Sequence, residues 1–387
     1  MYITARRTAS LCRRQLQRRL FSSQTYTRPL PAGALEVYDH ALLFLAQDRD
    51  VKLARISSLQ EELPSLTGEA AEGSKKEIAR LEVEAWINDP EVRWMHNMGL
   101  WDMSKPVYRH LREQQWRKEG VLDLLMERLW QMHIIPDVLP WVDPTLDMRL
   151  QFPTERTEEV VKIKGKDDVV CQEGDIEPGT FVLPSQTSKE PQLYVTAFHP
   201  EERFYTLVMV DPDVPSPETQ SYSTLLHWLV PNIPLSCLSP SSPIALPPAL
   251  LPYIPPHPQQ GSGYHRYTTF LLPQRALLTE LKTPLRRNFN LRDFVRQYSL
   301  SGSPVPGAPK PILPGHGKKR NGVGEVTSLH TGAEVGGGGV HMFREVWDES
   351  VTALHERVFG VGERRFGKLK QGDPYVDEEG RRPRRYY

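Results

Sequence analysis

Five side chains in this sequence could act on one small ion. Asp211 and Asp213 stand in YTLVMVDPDVPSP (205–217), His227 in LLHWLVPNI, and His265 and Tyr267 in GSGYHRYTTF. Two imidazoles and a phenol can donate hydrogen bonds to an anion. A carboxylate beside them fixes their tautomers or accepts from an ammonium group. The first stretch reads as a strand over 204–210 that ends at Asp211. Pro212 drives Asp211 out of the α region, and Pro215 and Pro217 stiffen the chain beyond it, so Asp213 is expected in a defined turn. Gly261 and Gly263 permit close backbone approach, and a period of two puts His265 and Tyr267 on one face of the next strand. If the three strands end together, the five residues form a pocket suited to a small zwitterion or a phosphate ester. Taken singly, each has a plainer reading. Asp-Pro-Asp is most often a turn, and a strand histidine is most often a satisfied core residue.

Other chemistry is not visible. The sequence shows no Ser/His/Asp or Cys/His arrangement, no Walker loop and no metal-spaced ligand set. No catalysis or cofactor is therefore expected, though the two histidines and two aspartates could in principle bind a metal. Cys12, Cys171 and Cys237 have no CxxC or CxxH spacing, which argues against a disulfide framework or a zinc site.

The elements that must position the pocket begin near residue 158. EEVVKIKG, QLYVTAFH, FYTLVMV, LLHWLVPNI and HRYTTFLL are short β-rich runs split by Pro, Gly and Asp. Several such strands between turns predict an antiparallel β-sandwich. The chain before them, 22–150, reads as a helical extension, so the fold class is α+β. Leu35, Tyr38, Leu42 and Leu45 share a helical face, and Leu53, Ile56, Leu59 and Leu63 continue a stripe that Pro64 stops. LPSLTGEAAEGS (63–74) reads as a linker, KKEIARLEVEAWINDPEV as a helix ended near Pro90, and VLDLLMERLWQM as a helix stopped by Pro136. These helices suit either a compact bundle or an extended arm. Trp86, Trp94, Trp101 and Trp116 suit either a core or contact with partners.

Together the motifs are more specific than their members. VMVDPDVPSPETQSYSTLLHWLVPNI and PPHPQQGSGYHRYTTFLL resemble the two signatures of the phosphatidylethanolamine-binding-protein family, DPDxP followed by HWxVxNI, and PPxGxGxHRYxxF. GTFVLPSQTSKEPQL (179–193) resembles an earlier stretch of that family, and VHMFREVWDESVTAL (340–354) its closing strand and helix. The resemblance implies a sandwich over 151–300 and 341–360. It also implies an anion pocket, instead of a metal site, of Asp211, His227, His265 and Tyr267, with Gly261 and Gly263 as rim and Asp213 on the family's second aspartate. Three departures bear on the ligand rather than the sandwich. Leu225 stands where the family has an aromatic residue, the rim PPHPQQGSG is longer, and 301–340 is inserted. The pocket is therefore expected to be vestigial. The region NDPEVRW…WDMSKPVYRHLREQQWR…PDVLPW (88–141) resembles the ribosomal branch of the family. That implies a structural component of the mitochondrial large ribosomal subunit, at or near its central protuberance, contacting ribosomal RNA and neighbouring proteins. A soluble mitochondrial binder of a phospholipid headgroup or another small anion is the alternative, and a regulator that binds a kinase or protease is a third.

Charge patterning agrees with that reading. The first 21 residues carry six arginines and no acid, the first acid being Glu36, with Leu11, Leu16 and Leu20 at near-helical spacing. This is the pattern of a mitochondrial presequence, with Arg19 three residues before a cut after Phe21; a basic RNA-binding arm is the other reading. The whole chain balances 48 basic against 48 acidic residues, so loss of 1–21 leaves 42 against 48 and a net charge of −6. Any nucleic-acid contact must then be local. Two places offer it. Lys318, Lys319 and Arg320 lie among glycines in the 301–340 loop, and the 361–387 tail ends in RRPRRYY, with Arg381, Arg382, Arg384 and Arg385. No run of 18 apolar residues occurs, so no membrane insertion is expected, nor is a stable homo-oligomer.

Overall fold

The computed structural model describes residues 26–153, 159–163, 166–170, 175–239, 243–300, 334–360 and 362–367. The expected presequence, Lys318, Lys319 and Arg320, and Arg381, Arg382, Arg384 and Arg385 lie outside these residues, as do Cys12 and Cys171. The chain divides into two compact units: Met1–Leu124 with Thr196–Arg203 and Leu235–Pro240, and the rest.

The first unit is helical. Helix α1 (Glu36–Glu62) and α2 (Glu69–Trp86) share a small core of Ile56, Leu59 and Leu81, with Ile78 against it. The segment read as a linker is in part helix, because α2 starts at Glu69. Its acidic first turn, Glu69 and Glu72, suits a helix N-terminus and outweighs the single Gly73. Pro90 opens a helix instead of ending one. Asp89 accepts from the amides of Glu91 and Val92, and Pro90 sits where no amide is needed, so α3 (Pro90–Met98) begins there. Helix α4 (Pro106–Lys118) gives Val107, Tyr108 and Leu111 to a second core with Val92, Trp101 packing beside them. Of the four tryptophans, Trp116 is buried and faces Phe198 at 5.7 Å. Trp86 stays 37% exposed under the Arg49 guanidinium at 4.8 Å. Val37, Phe44 and Val51, spaced by seven along α1, are 75%, 67% and 70% exposed.

The second unit holds most of the strands. Helix α5 (Val121–Gln131) leads to β1 (Trp141–Asp143) and β2 (Asp147–Gln151), which lie inside the span expected to be helical. Their buried Val142, Met148 and Leu150 fit a pleated edge. The main sheet runs β10 (Gly339–Val346), β8 (Tyr264–Pro273), β6 (Arg203–Ser216), β7 (Ser221–Leu235). The β10–β8 and β8–β6 pairs are antiparallel, with Phe343 opposite Tyr267, Glu345 opposite His265, and Val210 opposite Thr268. β2 pairs with β5 (Gln192–Thr196), β3 (Glu159–Ile163) pairs with β4 (Lys166–Val170), and β1 pairs with β9 (Glu334–Gly336) in parallel. Tyr205–Asp211 and Tyr267–Leu272 are buried at every position, so both faces of the central strands are covered. Helices α6 (Leu291–Gln297) and α7 (Glu349–Phe359) come after β8 and β10. The closing strand and helix expected over 340–354 are thus present.

Candidate functional site

The site is built where the main sheet's strands carry their polar residues. Asp211 ends the buried run of β6, but the strand does not stop there; it continues to Ser216. The ladder to β8 closes at Val210, so Pro212 owes no amide to it and its fixed φ suits extended chain. Asp211 Oδ1 accepts its own downstream amide, Asp213 N–H, at 2.8 Å. Its Oδ2 meets His265 Nδ1 at 2.7 Å, both side chains 2% exposed. Burial alone would drive the imidazolium toward neutrality, yet the adjacent carboxylate and its hydrogen bond outweigh it and raise the His265 pKa. Burial likewise opposes ionisation of Asp211, and His265 reverses it, leaving that pKa lowered. The two form a buried ion pair with no net charge.

Asp213 does not join them. It grips Arg266: the amide, Nε and Nη2 of Arg266 donate to the Asp213 carboxylate at 2.9, 2.8 and 2.7 Å. Arg266 Nη1 extends the clamp to Met132 O at 2.7 Å and Asp137 Oδ2 at 3.1 Å. Asp213 therefore fastens the chain before β1 to the sheet. The expectation of a pocket carboxylate in a turn fails here, because neighbouring Arg266 offers it a planar fork of donors.

His227 and Tyr267 do come together, edge to face with centroids 5.3 Å apart. The His227 Nδ1 proton goes to Ile254 O at 2.8 Å, and Nε2 has no hydrogen-bond partner. Burial lowers the His227 pKa despite Asp211, so the ring is neutral with a free lone pair. Tyr267 is fully buried and stacked on Phe343 at 5.5 Å; its hydroxyl lies near Asp211 and the His257 backbone without a hydrogen bond of good geometry. Burial pushes its pKa far up, which keeps it a phenol. Two residues of this layer lie outside the motif positions. His257, in the lengthened rim, faces His227 at 5.2 Å; burial brings its pKa down to about 3. Glu345 lies opposite His265 on β10, hence on the same face of the sheet, and is fully buried with neither oxygen in a hydrogen bond of good geometry. Burial raises its pKa well above the carboxylate range, so it holds its proton. Counting period two back from Glu345 places it with Phe343 and His341, but only the register shows that it meets His265. The layer thus contains one neutral ion pair and four uncharged groups. It offers a lone pair and hydroxyl donors without the surplus positive charge that would hold an anion.

The rim is closed by the chain itself. Gly261 has φ +86°, and a Cβ there would stand 1.7 Å from the carbonyl oxygen of Phe366. Phe366 N–H donates to Gln260 O at 2.7 Å, and Gln260 N–H donates to Glu363 Oε1 at 2.6 Å. Glu363 Oε2 accepts from Trp347 Nε1 and Thr352 Oγ1, each at 3.0 Å. The close approach expected of Gly261 is therefore made by residues 362–367 and not by a ligand. Gly263, at φ +98°, has open space around it and is required only for its backbone conformation.

The fold also assembles a Ser/His/Asp relay that no motif in the sequence announces. Ser262 Oγ lies 2.7 Å from His265 Nε2, whose other nitrogen meets Asp211. It is not set for nucleophilic attack. Ser262 gives its hydroxyl proton to Gln259 O at 2.7 Å, which leaves its oxygen to face His265 Nε2 as an acceptor, and the raised His265 pKa favours the protonated ring in that arrangement. Among the described residues no cluster of His, Cys, Asp or Glu is arranged to hold a metal ion.

Known proteins share this sequence pattern. Residues 167–308 match the family described as phosphatidylethanolamine-binding protein. The large ribosomal subunit protein mL38 of Schizosaccharomyces pombe is 32% identical over 227 residues, 58% of this chain and 68% of that protein. The putative odorant-binding protein A5 of Drosophila melanogaster is 27% identical over 260 residues, 65% of this chain and 93% of that protein. The solved phosphatidylethanolamine-binding protein of Plasmodium vivax is 23% identical and covers 45% of this chain and 90% of its own, at a TM-score of 0.29. The chain belongs to the phosphatidylethanolamine-binding-protein family.

Proposed function

We propose that this protein is a structural component of the large subunit of the mitochondrial ribosome. The observation that carries this is the likeness to mL38, 32% identical over 227 residues and 68% of that protein, a longer match than the 142 residues of the family domain. The acid-free N-terminal arginines support import into mitochondria and a matrix location. The exposed Val37, Phe44 and Val51 of α1 suit packing against neighbouring ribosomal proteins. The basic loop and tail suit contact with ribosomal RNA, and a place at the central protuberance belongs to the same reading. In this reading the role is assembly, and the Ser262 hydroxyl that donates to Gln259 O supports it. No described helix is long and apolar enough to cross a membrane.

One observation favours a second reading. His227 Nε2 has no hydrogen-bond partner and could accept a hydrogen bond from a small molecule, which supports a binder of a headgroup or other small ligand. Against an anion stands the charge balance of the site, and against free diffusion the long helical extension. Sedimentation of a mitochondrial lysate separates the two. Co-migration with the large subunit, retained at moderate salt, is the expected result; the protein at the top of the gradient would overturn the ribosomal reading.

A further inference from the structure

The residues that close the old pocket rim also present two cations to solvent. Over 363–366 the side chains differ in exposure: Glu363 and Phe366 are partly buried against the rim, and Arg364 and Arg365 between them are exposed. The flanks are fixed. Glu363 is held by three donors from three different places, the rim loop, the end of β10 and α7, and Phe366 N–H is held by Gln260 O. Gly261 leaves no room for a side chain that would push this strap away. Among the described residues no carboxylate pairs with Arg364 or Arg365; exposed Arg275, Arg287 and Arg357 lack one too, and what distinguishes the strap arginines is the fixed chain on either side of them.

Two guanidiniums on a segment held on both sides are charge in a preset position. On a free tail, ordering them against a partner would cost conformational entropy; here that ordering is already done. A guanidinium fork matches phosphate oxygens and is always charged. In sequence the strap continues into Lys368 and Lys370 and, after an acidic run, into RRPRRYY. We propose that the family's pocket rim has become a foundation: Glu363 and Phe366 lock the strap onto it so that Arg364 and Arg365 form a preorganised contact for the phosphate backbone of RNA. This deepens the ribosomal reading and rests on it for the source of that RNA.

The test uses the full chain and a short fluorescein-labelled RNA hairpin of arbitrary sequence, since backbone contact carries no sequence. Affinity is measured across a salt series for the wild type, Arg364→Gln/Arg365→Gln and Glu363→Ala. Loss of two phosphate contacts should flatten the slope of log affinity against log salt by about 1.5. Glu363→Ala gives the opposite sign for the two explanations. It removes a negative charge, so a merely electrostatic strap would bind RNA more tightly. A preorganised one should bind about tenfold more weakly with an unchanged slope. An unchanged slope in the double glutamine variant, which alters only exposed side chains, overturns the RNA contact; tighter binding by Glu363→Ala overturns the preorganisation. Gradient sedimentation of the same variants separates this from the ribosomal reading. If wild type travels with the subunit, and the double variant is stripped at lower salt with its RNA slope intact, the arginines face an acidic protein and the inference fails while the ribosomal role stands. If wild type does not travel with the subunit, the ribosomal role fails whatever the slope.

Discussion

Asp211→Asn tests the charge state on which the reading of the site depends. The native carboxylate does two jobs, accepting the Asp213 amide on Oδ1 and the His265 Nδ1 proton on Oδ2. An asparagine has one acceptor oxygen, so one job is lost. If the oxygen stays on the Asp213 amide, the NH2 faces His265, which must give up its Nδ1 proton and become neutral. Breaking a buried pair costs about 3–5 kcal/mol. The isosteric amide keeps one bond and His265 escapes by deprotonating, which puts the expected loss near the bottom of that range, about 3 kcal/mol. The pH dependence has a definite sign. The raised pKa of His265 means that its contribution is complete below the unfolded value of about 6.5 and is lost as pH climbs through the folded value. Asp211, lowered, contributes above about 3.9 and loses that contribution as pH falls. The difference between wild type and variant should therefore be largest between those limits and shrink at alkaline pH. Native-state hydrogen exchange of peptides from β6 and β8 reads the opening free energy without assuming that both units unfold together. A loss under about 1 kcal/mol at pH 6, or one that grows with pH, would show that the pair is not ionised as described.

Further consequences are open to measurement. Glu345→Gln should stabilise the second unit by about 1–3 kcal/mol at pH 8 and little at pH 4, because the raised carboxyl must ionise on unfolding; thermal melts at the two pH values that move equally would refute this. His257→Gln should reduce acid sensitivity, since a buried ring titrating at about 3 makes unfolding easier as pH falls below about 6.5, by about 2–3 kcal/mol at pH 4.5; acid-unfolding midpoints that coincide would count against a neutral His257. Gly261→Ala should expel the strap without unfolding the sheet, visible as faster tryptic cleavage after Arg364 and Arg365 with exchange in β8 unchanged; cleavage at the wild-type rate would mean the strap is not seated on the rim.

Several of the strands are legible because hydrophobic runs and turn residues are local signals. FYTLVMV, LLHWLVPNI and HRYTTFLL are strands because apolar and β-branched residues fit a sheet buried on both faces. Local signals also mislead. Pro90 and the prolines after Asp211 read as stops, yet a proline is welcome at the first turn of a helix and in a strand whose amide is not needed, and only tertiary pairing decides which applies. The site shows the same limit. Asp211, His227, His265 and Tyr267 are marked by motif and do meet. Asp213 is misplaced by its motif because its real partner, Arg266, is one residue from His265 and points elsewhere. Ser262, His257, Glu345 and Glu363 carry no local mark, because their roles come from register and from segments far apart in sequence, up to 103 residues for Gln260 and Glu363.

The charge arithmetic of the layer explains why a family scaffold could take up an assembly role. An anion-binding pocket needs cationic or donor groups whose charge is not already spent. Here the one imidazolium is matched by Asp211, His227 and His257 are neutral, and Glu345 adds a further acid to the same face. An incoming phosphate would have to break the Asp211–His265 pair or enter uncompensated. Two cations without a carboxylate among the described residues lie on the outside of the same rim, Arg364 and Arg365, carried by a strap whose inner carboxylate accepts from Gln260, Trp347 and Thr352. The interior layer thus carries no surplus positive charge to select a small anion, whereas the strap presents two guanidiniums at the surface, where they can meet a polyanion. Folding of the rim and presentation of the arginines depend on the same few hydrogen bonds.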